Sequence, residues 1–243
     1  PFTRQTIIKA DVADVFAWHA RPGAIERLSP PWDPLEVVHQ SGGIQKGAEV
    51  ILKMRAGPLK YNWHARHTAY QENHFFADEQ IRGPFAYWKH THQFTPATDS
   101  QCLLEDRIEY RPPLTTLTHP FIKGMIHRKL SRIFAYRHRV TAADLSLHLK
   151  FKDCPRKTVL ISGASGLIGA RLVPLLTTGG HEVVKLVRRQ PSAKDEIFWD
   201  PAENWIDKDR LNKRKVDAVI HLAGENVGTG RWTARKKEAI IQS

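Results

Sequence analysis

The chain has 243 residues, 41% hydrophobic and 26% charged, a balance that suits a folded globular protein of one or two domains. No apolar run approaches the roughly 18 residues a membrane span needs and no secretory signal is visible, so neither membrane insertion nor export is expected. The net charge of +12 divides into 21 Lys and Arg against 14 Asp and Glu in residues 1–152 and 16 against 11 in the remainder, and with no nucleic-acid motif beside it this spread reads as a solvated basic surface.

The first predicted element is a strand over residues 3–9. Asp11 is placed to cap a helix carrying Val12, Val15, Phe16 and Ala17. Pro22 and Gly23 interrupt it before a short second helix that ends near Leu28, and Pro30, Pro31 and Pro34 forbid regular structure after that. Six strands follow, over residues 35–39, 49–55, 61–71, 74–82, 86–96 and 101–110. Turn residues separate them at Gly42-Gly43, Gly57-Pro58, Glu72-Asn73 and Gly83-Pro84, so an antiparallel meander is expected. Phe121, Ile122, Met125, Ile126, Leu130, Ile133 and Phe134 then recur at three-to-four spacing, the apolar stripe of one long helix over about residues 120–144.

Helices, six strands and a closing helix, with the run from Gly83 to Phe94 and the run from Leu104 to Tyr110, resemble the START-like helix-grip family, also called SRPBCC or polyketide cyclase-like. The resemblance covers about residues 2–148. It implies an α+β helix-grip domain (1–150) whose curved sheet wraps the last helix around an apolar cavity, with a small apolar ligand as its partner. Trp63, His64, Trp88 and His90 are the candidates to orient that ligand. His64, His67, His90 and His92 also raise a metal reading, but no carboxylate completes a recognised ligand spacing, and no metal site is expected. Lys123, Arg128, Lys129, Arg132, Arg137 and Arg139 are expected to form the solvated face of the long helix; an anionic membrane or nucleic acid is the alternative use of such a face.

A polar, Pro-containing stretch over residues 151–156 reads as a linker. Cys102 and Cys154 stand far apart without a CxxC pattern, which suits reduced thiols and a cytoplasmic location. After the linker, elements alternate as strand (158–162), glycine loop, helix (167–178), strand (182–187), strand (196–199), helix or loop, and strand (218–222), the order of parallel βαβ units.

The loop Gly163-Ala164-Ser165-Gly166-Leu167-Ile168-Gly169 follows a strand and opens a helix. Gly163 allows the tight turn, Gly166 lets backbone approach a pyrophosphate, and Gly169 lets helix and strand pack closely. The amides around Ser165, Leu167 and Ile168 then face the phosphates at the positive end of the helix. At the end of the next strand, Arg188 and Arg189 stand where an NAD site usually offers an acid, so NADP is favoured over NAD. Asp200 is a candidate acceptor for the adenine amino group. Leu222, Ala223 and Gly224 are placed to let the cofactor lie against backbone, and His221 is expected to pack or orient that loop rather than act as acid or base.

This glycine loop, the run from Phe198 to Pro201, and the stretch Leu222-Ala223-Gly224-Glu225-Asn226 with Arg231-Trp232-Thr233 resemble extended short-chain dehydrogenase/reductases, in their nucleoside-diphosphate-sugar epimerase-like branch. The resemblance runs from about residue 157 to 243. It implies an α/β Rossmann domain and an NADP-linked epimerase or reductase acting on a sugar nucleotide or related hydroxyl compound. It also implies a catalytic Tyr-x-x-x-Lys pair well beyond the fourth strand. All five tyrosines precede residue 150, so the domain is expected to be incomplete, to bind cofactor weakly and to show no turnover by itself. The alternative is a non-catalytic protein that senses NADP(H) and binds an apolar ligand.

Overall fold

The computed structural model describes residues 1–56, 59–112, 119–228 and 230–242, and of 56 and 119–122 the backbone alone. The expected turn at Gly57-Pro58 and the side chains of Phe121 and Ile122 lie outside the described residues. The chain divides into two compact units, Pro1–Asp153 and Cys154–Ser243.

The first unit runs β1 (Phe2–Ile8), α1 (Val12–Ala20), α2 (Ala24–Leu28), β2 (Glu36–Gln40), β3 (Glu49–Ala56), β4 (Leu59–Gln71), β5 (Phe75–Arg82), β6 (Tyr87–Thr98), β7 (Gln101–Arg111) and α3 (His119–Lys150). Asp11 caps α1, its carboxylate accepting from the Asp14 amide at 2.8 Å. The strands form one antiparallel sheet in the order β1-β7-β6-β5-β4-β3-β2. Strand alternation sets its inner face: Trp88, His90, His92 and Phe94 of β6 are buried, as are Cys102, Leu104, Asp106 and Ile108 of β7. The turn between β4 and β5 is closed by Asn73 at φ 59°, a conformation its short polar side chain tolerates. Leu130, Phe134, His138, Thr141 and Leu145 make the buried stripe of α3.

Two expectations need correction here. The last helix continues six residues past Asp144, to Lys150. Met125 does not join its buried stripe; it is 52% exposed, while its neighbour Ile126 packs on the core, because adjacent helical positions point about 100° apart.

The second unit runs β8 (Thr158–Ser162), α4 (Gly169–Thr178), β9 (Glu182–Val187), β10 (Glu196–Asp200), β11 (Trp205–Ile206), α5 (Lys208–Leu211), β12 (Ala218–His221) and α6 (Ala234–Gln242). β8, β9, β10 and β12 are parallel, and the five-strand order is β11-β10-β9-β8-β12. One face packs Val159, Ile161 and Val183 beneath Val173 and Leu176 of α4, and the other packs Leu160, Val184 and Ile197 against Ile206 and Leu211. The residue pattern did not show β11. It is two residues long and depends on a tight turn in which Asn204 takes φ 50°. The helix after the glycine loop starts at Gly169, two residues later than its apolar pattern suggests, because the loop itself uses Leu167 and Ile168.

Candidate functional sites

In the second unit the chain leaves β8 toward one side of the sheet and the next-paired strand, β12, is reached from the other. Such a reversal opens a crevice at the carboxyl ends of the strands. Gly163 sits there at φ +70°, and a Cβ on it would lie 2.5 Å from the Leu222 carbonyl carbon and 2.7 Å from the Ala223 nitrogen. A Cβ on Gly169 would lie 2.3 Å from the Gly163 oxygen. These two glycines let the loop fold against itself and against the end of β12. Gly166 donates its amide to the Gly163 oxygen at 3.0 Å and accepts from Ala170 at 2.9 Å, which closes the turn into α4. Ser165, Leu167 and Ile168 stay outside, Leu167 at 92% exposure, while Gly169, the first residue of α4, is buried.

The structure thus brings Gly163, Gly169, Leu222 and Ala223 together. The residue that fixes the arrangement, Ser162, has no signature of its own in the sequence. Its Oγ lies 2.7 Å from His221 Nδ1 and accepts the amides of Leu222 and Ala223 at 3.2 and 3.3 Å. His221 therefore braces the loop. Gly224 is exposed beside it. Asp200 ends β10 half-buried, its carboxylate accepting from the Ala202 amide at 3.0 Å.

The two arginines after β9 part company. Arg189 forks onto Glu196 at 2.9 and 2.5 Å, and the Ser192 amide and hydroxyl join the same carboxylate. The Arg189 guanidinium and then Ser192 pull the Glu196 carboxyl down to about 2, against its burial. Arg188 is exposed and faces the charge of Glu225, itself paired with Lys236.

The first unit holds a second polar centre, inside the sheet. Cross-strand pairing puts Asp78 opposite both His67 and His90, and Asp106 opposite His92. Asp106, 2% exposed, takes His90 Nε2 at 2.9 Å and His138 Nε2 of α3 at 2.6 Å, with His92 Nδ1 2.6 Å away but out of line for a hydrogen bond. Burial alone raises a carboxyl, but these three imidazoles outweigh it and hold Asp106 well below its usual range. Asp78 is pushed up by burial. His19 of α1 is lowered to about 3 by burial and then by His92; burial likewise lowers His67 and His92.

The residues proposed to orient an apolar ligand divide by face. Trp63 and Trp88 are inside, edge to face at 4.9 Å and both against Phe85. His90 is inside as well. His64 is not: next to Trp63 on β4, it points to the opposite face and pairs with Glu49 at 2.9 Å. The cationic face of α3 also needs amendment. Arg132 covers Trp32, Lys129 pairs with Asp33 at 2.9 Å, and Arg137 turns inward over Phe134, donating to the Leu28 carbonyl at 3.3 Å.

Both halves of this geometry have counterparts in known proteins. The chain belongs to the polyketide cyclase / dehydrase and lipid transport family, matched over residues 8–136, and residues 159–243 match the NAD dependent epimerase/dehydratase family. An epimerase family protein of Mycobacterium leprae is 36% identical over 88 residues, which are 36% of this chain and 28% of that protein. Epimerase family protein SDR39U1 of Bos taurus is 37% identical over 87 residues, 35% of this chain and 27% of that protein. The crystal structure of a nucleoside-diphosphate sugar epimerase from Corynebacterium glutamicum matches with a TM-score of 0.77 at 31% identity, over 100% of this chain and 49% of that one. The chain thus spans about half of that structure and little more than a quarter of these curated relatives. Among the described residues no helix is long and apolar enough to cross a membrane.

Proposed function

We propose that the second unit is the first part of a Rossmann domain that holds NADP(H), and that the whole protein is an epimerase or reductase acting on a sugar nucleotide or related hydroxyl compound. The observation that carries this is the cradle itself. Gly163 and Gly169 occupy space that no side chain can enter, and they let the loop turn tightly into a helix start, the place where backbone amides and the helix dipole suit a pyrophosphate. Bound there, the nicotinamide group supplies hydride chemistry. This chain's residues do the holding: Gly163, Ser165, Gly166, Leu167, Ile168 and Gly169 take the phosphates, and Leu222, Ala223 and Gly224 form the wall along which the cofactor lies. Asp200 is the candidate partner for the adenine amino group.

The choice of NADP rests on Arg188. Glu196 occupies Arg189, so the unspent cation at the end of β9 is Arg188, which a 2′-phosphate would satisfy. The first unit, read as a helix-grip domain, is proposed to take a small apolar ligand among Trp63, Phe85 and Trp88, which must part to admit it. Fluorescence titration of the full-length protein tests the cofactor: NADPH should bind at least tenfold tighter than NADH, and Arg188→Glu should remove that preference, a change of about 1.4 kcal/mol. Tighter binding of NADH to the unaltered protein refutes the NADP reading, and failure of both to bind refutes the cradle. If cofactor binds to full-length protein that has no turnover on any hydroxyl substrate, the sensing alternative stands instead.

A further inference from the structure

The acid–imidazole row inside the first sheet has a gap that a proton or a metal ion must fill. Asp78, His90 and His92 each offer one ligand atom, and these atoms lie within 4.8 Å of one another. Donors about 2.0–2.2 Å from one ion stand at most about 4.4 Å apart, so small side-chain movements close the set. His90 supplies the decisive detail. Its Nε2 faces Asp106 Oδ1 at 2.9 Å, and a carboxylate only accepts, so Nε2 carries a proton and Nδ1 is the atom left to face Asp78. It stands 3.7 Å from Asp78 Oδ1, an ion pair when His90 is an imidazolium and two facing acceptors when the ring is neutral, the state in which a cation fits between them. A carboxylate that fixes the far nitrogen of an imidazole is also the usual outer support of a metal-bound histidine.

Two further observations point to a ligand. The Nδ1 atom of His67, a residue 9% exposed, is buried and makes no hydrogen bond among the described residues although His67 stands directly across from Asp78, and His92 Nδ1, in a residue 7% exposed, has only the out-of-line contact with Asp106 at 2.6 Å. Asp78 keeps 18% of its side chain open, which leaves a way in.

We propose that Asp78, His90 and His92 bind a divalent first-row transition ion of the zinc class, with Asp106 holding His90 in the ligating tautomer. Two imidazoles and one carboxylate leave coordination positions for water or a small ligand. Spacing along the chain could not reveal the set, because the carboxylate arrives by strand pairing from twelve residues away.

Chelator-treated protein titrated with Zn2+ and Co2+ tests the proposal. One tight equivalent should bind, Zn2+ should raise the melting temperature, and Co2+ should give the intense visible bands of a low-coordinate nitrogen–oxygen site. Asp78→Asn should weaken Zn2+ at least a hundredfold, while His64→Gln, on the outer face, should leave it unchanged. A titration that Asp78→Asn does not alter, or that His64→Gln abolishes, overturns the proposal, as does a cobalt spectrum no different from that of the aquo ion. Should Asp78→Asn not fold, anomalous diffraction at the zinc edge from the unaltered protein decides: a peak between Asp78 and His90 supports the site, and a peak only at surface histidines overturns it. None of these readouts depends on the nucleotide cradle.

Discussion

In the first unit, polarity is carried inward by side chains. Asp106, Asp78 and five histidines sit within a shell of Phe76, Phe94 and Phe134, and Asp106 is held by several of its neighbours at once. In the second unit, the proposed site is one of backbone, and its loop takes this form because Gly163 and Gly169 have no side chain at all. The first arrangement is vulnerable to deletion, because removing one member leaves the rest buried and unpaired. The second is vulnerable to addition, because any Cβ fills the space that the ligand or the turn requires.

Asp106→Ala tests the deletion side and should have the largest effect. It strands the imidazoles of His90 and His138, and the cost of breaking a buried pair is about 3–5 kcal/mol in unfolding free energy. Denaturant melts would read it. A loss under about 1 kcal/mol, within the range of a neutral surface change, would show that the histidines find other partners and would undo the contrast. Gly163→Ala tests the addition side. Strain at φ +70° is worth about 1–3 kcal/mol, and the clash with Leu222 and Ala223 adds to it. Cofactor affinity should fall at least tenfold in the same variant, because the cradle closes. Unchanged affinity would mean that the loop is not the phosphate site.

The acid response sharpens the same contrast. His19 has its ordinary value of 6.5 lowered to about 3 in the fold. The unfolded chain therefore takes up a proton below pH 6.5 that the folded chain refuses until about pH 3, and stability falls as pH falls across that window. His19→Phe should flatten the slope by up to about 1.4 kcal/mol per pH unit. His67 and His92 act in the same direction. A slope unchanged in the variant would show that His19 already carries a proton in the fold.

Much of this was legible from residue pattern, and the failures have physical causes. The period-two alternation of β6 and β7 and the glycine spacing of the loop are local signals, and both match the local structure the chain adopts. His64 was misplaced although its own strand held the answer, since Trp63 and His64 are adjacent and cannot share a face. Arg189 and Ser162 are different cases. Nothing near Arg189 marks Glu196 as its partner, and Ser162 acts through amides sixty residues away. The acid–imidazole row belongs with them: Asp78, His90 and Asp106 meet only through sheet register, which residue spacing does not encode.

The smallest predicted effect concerns Glu196, the partner that distinguishes Arg189 from Arg188. Its folded value is depressed from 4.5 to about 2, chiefly by the Arg189 guanidinium. A depressed carboxyl stabilises the fold fully above its unfolded value, so the contribution is complete above about pH 4.5 and is lost as pH falls toward 2. Arg189 remains 58% exposed, so solvent screens the pair and salt weakens it further. Glu196→Gln should therefore lower the melting temperature slightly at pH 7, and the gap to the unaltered protein should close as the pH is taken down through that window. NADPH affinity should also fall in this variant. With its clamp gone, the freed Arg189 guanidinium disturbs the end of β9, where the cation assigned to the 2′-phosphate sits. If the gap instead widened on acidification, Glu196 would be acting as an uncharged hydrogen-bond partner, and the division of labour between the two arginines would have to be abandoned.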